Sequence, residues 1–491
     1  MRSLSLPAIA LLLAACSGER PGGDLEVAVV GEGTLAEELA QEASRATLIR
    51  RGSGGELVAG VATSWRFLDD GDDLILRLAP LRWPGAGDRP GLELVAQDVA
   101  LGLRRSGNDS GSNSGGRGRA ALAAAGLARR GTARAPIARV VELVPQPATP
   151  LLLDWLAEPP LAVRDQRGRL FPGPYMVEKP EKKDGGAWRL QRRSEGPLPA
   201  ARAASIRIMA VEPTAAVTAF AKREVQLVLG EGLGGLGAAR AAGQGRALKL
   251  EAVPGVIGLA INARSGLLTD VRLRRALLLA ADGAPMANRL ALALLVPQNR
   301  LWDGLPPPTD DRARSFDERR ALAAALLREV GVGPEQPLRL SLLVPAGPEF
   351  QALAEALAAS LQPLGISLAV QRARAAGFGT ARRSSSADLV LVEQAARVAD
   401  VVTHLGQWRC GRVRPCSATA DRLLDEAAAA GNDLTARQAA AVAAETALMA
   451  DPAFIPLLRP VRWALVANDV SGFQVNPLGR HPLGRIARGS R

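Results

Sequence analysis

An α/β fold with mixed sheets is what this sequence predicts, and three observations point to it. Short apolar runs such as Leu25–Val30 and Leu338–Val344 alternate with stretches of helical period such as Ser315–Val330. Alternation of this kind stacks helices on sheets in layers. The length, 491 residues, leaves room for two or three domains with ample cores. Beyond the first fifteen residues, no apolar run approaches the length needed to cross a bilayer, and no short-period repeat is visible.

The elements follow in order. The chain opens MRSLSLPAIALLLAAC: Arg2 precedes an apolar run, Leu4 to Ala15, with the shape of an export signal. Leu13-Ala14-Ala15-Cys16 resembles the bacterial lipobox, which makes Cys16 the expected lipidated first residue of the mature chain. Residues 17–24 read as a tether. Leu25–Val30 is a strand, followed by a helix to about Ala46, then Glu56–Trp65, a turn at Asp69-Asp70-Gly71-Asp72 and the alternating strand Leu74–Leu78. Residues 106–119, SGNDSGSNSGGRGR, are of low complexity and are expected to form a mobile loop. An Ala/Leu helix, a strand over Ile137–Val144 and a proline-rich passage to Pro174 come next.

Strands near Trp188–Gln191 and Ile206–Met209 precede a helix over Thr214–Lys222 and a strand over Val225–Leu229. Ile257–Asn262 reads as a strand and Asp270–Ala281 as a helix. Helix Ser315–Val330 leads to strand Leu338–Val344, helix Glu349–Leu361 and strand Ile366–Gln371. Strand Asp388–Val392 and helices Ala418–Ala430 and Thr435–Ala450 complete the series.

The formal charge is +12, or +11 once Arg2 leaves with the export signal. A basic balance points to acidic partners. The arginines are spread along the chain and seldom interleave with aromatics, so no nucleic-acid face is legible. Attraction to acidic polymers of the cell envelope is the expected consequence.

Two of the three cysteines, Cys410 and Cys416, lie in WRCGRVRPC. A zinc site, a redox pair and a disulfide are each conceivable. Zinc would need two more ligands, and the chain has only two histidines, His404 and His481. Export to an oxidising compartment favours a disulfide stapling a surface loop. After the strand Val225–Leu229, Gly232, Gly234 and Gly237 satisfy GxGxxG, and Glu251 stands where a ribose-binding acid would. The following helix is short and broken by Gly243 and Gly245, so an ordinary loop is expected rather than the site of an exported dehydrogenase. Neither GxSxG nor HExxH occurs, and two histidines leave little scope for a catalytic triad. No catalytic residue, metal ligand set or cofactor is expected.

The run TLIRRGSGGELVAGVATSWRFLDDGDDLILRLAPLRWPG, followed by VAQDVALGLRR, resembles the signature of family 5 extracellular solute-binding proteins. These are the peptide- and nickel-type receptors of ABC importers. Leu57, Gly60, Ser64, Trp65, Asp70, Gly71, Leu78, Trp83, Asp98 and Val99 fall in register with it. GPYMVEK at 173–179 is similar to the family's GPY turn. LAINARSGLLTDVRLRRALLLAAD is similar to a family helix through Asn262, Asp270, Arg272, Arg274, Ala276, Leu277 and Asp282. The similarity runs from about 48 to 475.

The resemblance implies a two-lobed clamp with an extra domain inserted in the first lobe. Residues 1–15 would be the export signal and 16–24 the tether. Lobe I would comprise 25–52, 172–255 and 468–491, the extra domain 53–171, and lobe II 256–467. A peptide-like solute would sit between the lobes and pass to an ABC permease. The chain would be a monomer, anchored by Cys16 in the bacterial envelope and facing the periplasm. In dipeptide receptors of the family an aspartate pairs with the peptide's amino group, and Asp400 falls at that position. Asp400 is equally placed to cap a helix starting at Val401. The same receptors carry a cysteine pair just beyond, which supports a Cys410–Cys416 disulfide beside the cleft. The family's Trp-His-Asp-Gly is Trp83-Pro84-Gly85-Ala86 here, and its cleft tryptophan aligns with Gln394, so the pocket is expected to be retuned. Those departures also leave open a descendant of the fold that has lost transport and serves as an envelope binding or structural lipoprotein.

Overall fold

The computed structural model describes residues 23–489 apart from 32–33, 69–70, 86–90, 107–112, 130, 179–185, 195–201, 244–245, 264–265 and 375–376. The export signal, Cys16 and all but the end of the tether lie outside the described residues.

Leu25–Val30 forms the centre of a seven-stranded sheet because its LEVAVV run is apolar at every position but Glu26, near the mark of a strand covered from both sides. It runs parallel to Ser205–Val211 on one side and to Leu227–Gly230 on the other. Trp188–Arg192 and Tyr175–Glu178 extend the sheet beyond Ser205–Val211, while Val461–Val466 and Leu248–Ala252 extend it beyond Leu227–Gly230. This sheet is the frame of lobe I. The buried Tyr175 donates its hydroxyl proton to the Ala203 carbonyl at 3.1 Å, so the GPY turn fastens an outer strand.

Val461–Val466 corrects the lobe boundary expected at 468. The strand pairs antiparallel with both Leu227–Gly230 and Leu248–Ala252, so the chain returns to lobe I before residue 461. Its run VRWALV looks the same whichever sheet accepts it, and only tertiary pairing decides.

Lobe II is built on a five-stranded sheet in the order Ile366–Ala373, Leu338–Pro345, Leu389–Ala395, Gly255–Ile261, Phe454–Leu458. Leu338–Pro345 is parallel to both of its neighbours, which the helices Pro348–Leu361 and Phe378–Ser384 make possible by crossing over between them. Helices start where capping side chains allow. Ser315 and Glu318 form a capping box at Phe316–Glu329, and Asp270 accepts from Arg272 N at 2.8 Å to open Val271–Ala280.

Four antiparallel strands, Ala62–Leu68, Asp73–Leu78, Val140–Leu143 and Ala133–Ile137, form a separate sheet with its own core. The single strand expected over Ile137–Val144 is thus a hairpin. Trp83 packs edge-on against Phe171 with ring centroids 4.9 Å apart, and its indole N–H donates to Asp98 at 3.3 Å. Gly60 is required by close approach: a Cβ there would lie 2.4 Å from the Thr47 carbonyl oxygen. From residue 113 onward the low-complexity stretch is helical, Asn113–Ala124, rather than the loop expected. Its alanines supply enough helix propensity once the end of the segment has a domain to pack against.

The backbone passes between the two large sheets twice, at Val253-Pro254 and at Arg459-Pro460. The two passages lie side by side, with Val253 N donating to the Pro460 carbonyl at 3.1 Å.

Candidate functional site: the cleft between the lobes

Open α/β sheets place ligands outside the carboxyl ends of their parallel strands, where successive connections diverge. Leu25–Val30 has a parallel neighbour on each side, and a cavity of about 460 Å³ opens at its carboxyl end. Val30, Gly31, Thr34 and Glu231 line it from lobe I; Phe350, Phe378, Glu393 and Gln394 line it from lobe II. A second cavity of about 980 Å³ lies on the lobe II side and shares Arg382, Gln394 and Gln407 with the first. The two adjoin along these shared residues.

Carboxylates from both lobes face the smaller cavity. Glycine makes room for each: a Cβ on Gly31 would come within 2.3 Å of Glu231, and a Cβ on Gly232 within 2.3 Å of Glu393. Both Glu393 oxygens accept from the Leu233 amide, at 3.1 and 3.2 Å. Burial pushes the Glu393 carboxyl up to about 8; the Leu233 amide opposes the shift and Glu231 adds to it. Gln394 Oε1 is buried without a hydrogen-bond partner at the junction of the two cavities. An orphaned acceptor at that depth is costly unless an N–H arrives to meet it.

The GxGxxG stretch sits between strand Leu227–Gly230 and helix Leu236–Ala242, and its backbone amides already hold acids. Gly237 N donates to Glu349 at 2.7 Å and Gly235 N to the same carboxylate at 3.4 Å, while Leu233 N serves Glu393. Glu251 is committed as well, to His481 Nε2 at 3.0 Å and Asn476 N at 2.7 Å. Protein carboxylates thus occupy the amides a nucleotide phosphate would need. They also tie the glycine loop of lobe I to lobe II.

Of the two roles open to Asp400, the structure shows the cap. One of its oxygens accepts from Thr403 N at 2.8 Å and Thr403 Oγ1 at 2.7 Å, opening helix Val401–Leu405. Both oxygens accept from Arg437 Nη2 at 3.0 Å, and the two side chains are buried together. Asp400 lines neither cavity. The sequence signals that could have found Glu231 and Glu393 differ: Glu231 directly follows strand Leu227–Gly230 and precedes Gly232, and Glu393 directly precedes the position aligned with the family's cleft tryptophan. Cys410 and Cys416 are disulfide-bonded, and Cys416 lines the larger cavity. Among the described residues no cluster of three or more His, Cys, Asp or Glu side chains is arranged to hold a metal ion.

Two sheets joined by paired crossings, with a cleft between them, define a solute-binding clamp. Residues 56–413 match the model of the bacterial extracellular solute-binding proteins, family 5, and the chain belongs to that family. The family is one of solute receptors rather than enzymes. The periplasmic murein peptide-binding protein MppA of Escherichia coli is 26% identical over 233 residues, spanning 44% of this chain and 42% of the relative's own length. The structure of the E. coli murein tripeptide binding protein MppA aligns with TM-score 0.76 and 17% identity, covering 95% of this chain and 99% of that one. Haemophilus influenzae OppA complexed with RPPGFSPFR aligns equally well, at TM-score 0.76 and 16% identity over 95% and 99% of the two chains. At such identities these likenesses speak to the fold.

Proposed function

We propose that this chain is an exported, lipid-anchored receptor that captures a peptide-like solute between its lobes and delivers it to an ABC permease. The observation that carries the reading is the cleft itself: Glu231 from lobe I and Glu393 from lobe II converge on one cavity, beside the orphaned acceptor of Gln394. Such a set suits a primary ammonium together with the amide N–H groups of a short backbone. The relatives support the class of solute, since MppA is a murein peptide-binding protein and Helicobacter pylori DppA was solved with the peptide STSA. Cys16 would carry the lipid on the periplasmic side, and the chain would work as a monomer. The lobes would move about Val253-Pro254 and Arg459-Pro460, with 25–52, 172–252 and the segment from 461 onward as one body, 256–458 as the other, and 53–171 riding on the first.

The test is thermal unfolding of the purified protein against di- to pentapeptides, after unfolding and refolding to strip any solute carried over. A cognate peptide at a hundred times its Kd adds about 2.7 kcal/mol to stability. A rise in Tm with one subset of peptides, lost in Glu393→Gln, is the expected result. A flat response across the panel would overturn the reading.

A further inference from the structure

The larger cavity carries a charge pattern that the capture of a generic peptide does not require. Four arginines line it: Arg382 and Arg383 from the last turn of helix Phe378–Ser384, and Arg412 and Arg414 from the loop closed by the Cys410–Cys416 disulfide. Several arginines elsewhere in this chain are ion-paired: Arg139, Arg272, Arg312, Arg437 and Arg459 each meet a carboxylate within about 3 Å. Arg409, just outside the disulfide loop, pairs with Asp425 at 2.8 Å. The four cavity arginines have no carboxylate partner among the described residues; Arg383 donates only to the Thr380 hydroxyl, at 3.1 Å.

Four like charges around one concavity repel one another, and an anion entering it relieves that repulsion. The loop that presents two of them is held at both ends. The disulfide ties residue 410 to residue 416, and Cys410 N donates to Asp421 at 3.1 Å. Holding Arg412 and Arg414 in place removes much of the entropy that fixing two long side-chain bearers on a free loop would cost. The end of the cleft that holds Glu231 and Glu393, lined also by Arg382 and Arg462, shares Gln394 and Gln407 with this basic end. A ligand lying along the cleft meets carboxyl groups from both lobes at one end and concentrated positive charge at the other.

We infer that the cleft selects acidic peptides, with the amino terminus towards Glu231 and Glu393 and several carboxylates gathered by Arg382, Arg383, Arg412 and Arg414. The inference rests on the peptide-receptor reading above and sharpens it to a substrate class.

Calorimetric titration of the refolded protein with Ala-Glu-Glu, Ala-Ala-Ala and Ala-Lys-Lys tests it. Ala-Glu-Glu is expected to bind at least about tenfold tighter than Ala-Ala-Ala, as one or two charge-assisted contacts would give. Ala-Lys-Lys is expected to bind weakest. In Arg412→Gln/Arg414→Gln affinity for Ala-Glu-Glu should fall severalfold more than affinity for Ala-Ala-Ala, which offers the arginines only its α-carboxylate; Arg382→Gln/Arg383→Gln provides an independent pair. These side chains are exposed, so Tm should stay near that of the parent. Equal binding of the three peptides would overturn the inference and leave the peptide reading standing. A preference that persists in both double variants would also overturn it. Arginine-dependent binding of tricarballylate with no tripeptide bound would overturn the inference and the peptide reading together, and assign the arginines to a free polycarboxylate. Binding of none of these probes would overturn both.

Discussion

Glu393 is the residue whose titration should be visible in solution. With its carboxyl raised to about 8, the folded chain keeps a proton at pH 6–7 that the unfolded chain has already lost. Folding of the empty protein therefore takes up a proton, and this group's contribution to stability falls as pH rises from the ordinary carboxylate range towards 8. Denaturant titrations at several pH values should show that fall in the parent and its loss in Glu393→Gln. An ammonium in the cleft draws the Glu393 pKa down, so peptide binding should release a proton and tighten as pH rises to about 8; calorimetry in buffers of different ionisation enthalpy reads the release. Asp400 predicts the opposite split between stability and binding. Asp400→Ala leaves Arg437 buried and unpaired and removes a helix cap, a loss of about 3–5 kcal/mol. Its affinity for peptide should be unchanged once the protein is folded. Two roles for Asp400 were compatible with the sequence because a cap and a ligand both ask for a carboxylate before a helix. Only the position of Arg437, thirty-seven residues on, separates them.

At the scale of elements, the disulfide loop is where stability and recognition part company. A loop of six-residue separation adds at most about 2–3 kcal/mol through the unfolded state. Cys410→Ser/Cys416→Ser should therefore unfold only a little earlier by thermal scan. Its preference for Ala-Glu-Glu over Ala-Ala-Ala should nonetheless shrink, because Arg412 and Arg414 lose their fixed mounting. Ser315→Ala should cost about 1 kcal/mol in denaturant unfolding, the capping box being the main device that starts Phe316–Glu329. Elements with such local signals were legible in the sequence: Ser315 with Glu318, and Asp270 with the apolar period behind it, mark helix starts within a residue. The hairpin at 133–143 and helix Asn113–Ala124 were not, because a glycine- and serine-rich stretch becomes a helix only against the extra domain it packs on. The GxGxxG loop misleads for a physical reason too. Amides bunched by glycines attract any carboxylate, and Glu349 and Glu393 serve as well as a phosphate.

For the whole molecule, the order of signature motifs made the two-lobed fold legible over most of the chain. The residues in that signature build structure rather than bind: Trp83 and Asp98 hold the extra domain's core, and Arg274 reaches Asp451 from inside lobe II. A signature with that role can survive changes in the cleft such as Gln394. What the pattern could not supply was the return of Val461–Val466 to lobe I, a matter of strand pairing across some two hundred residues of chain. The paired crossings at Val253-Pro254 and Arg459-Pro460 give the clamp its hinge in this account, and the ties from Glu349 and Glu393 to the glycine loop would hold it shut. Small-angle X-ray scattering of the refolded, solute-free protein, alone and with a saturating peptide from the thermal panel, tests this most directly. A smaller radius of gyration and a shorter maximum dimension are expected with peptide present. A peptide that binds and leaves the scattering curve unchanged would contradict capture by closure of the lobes.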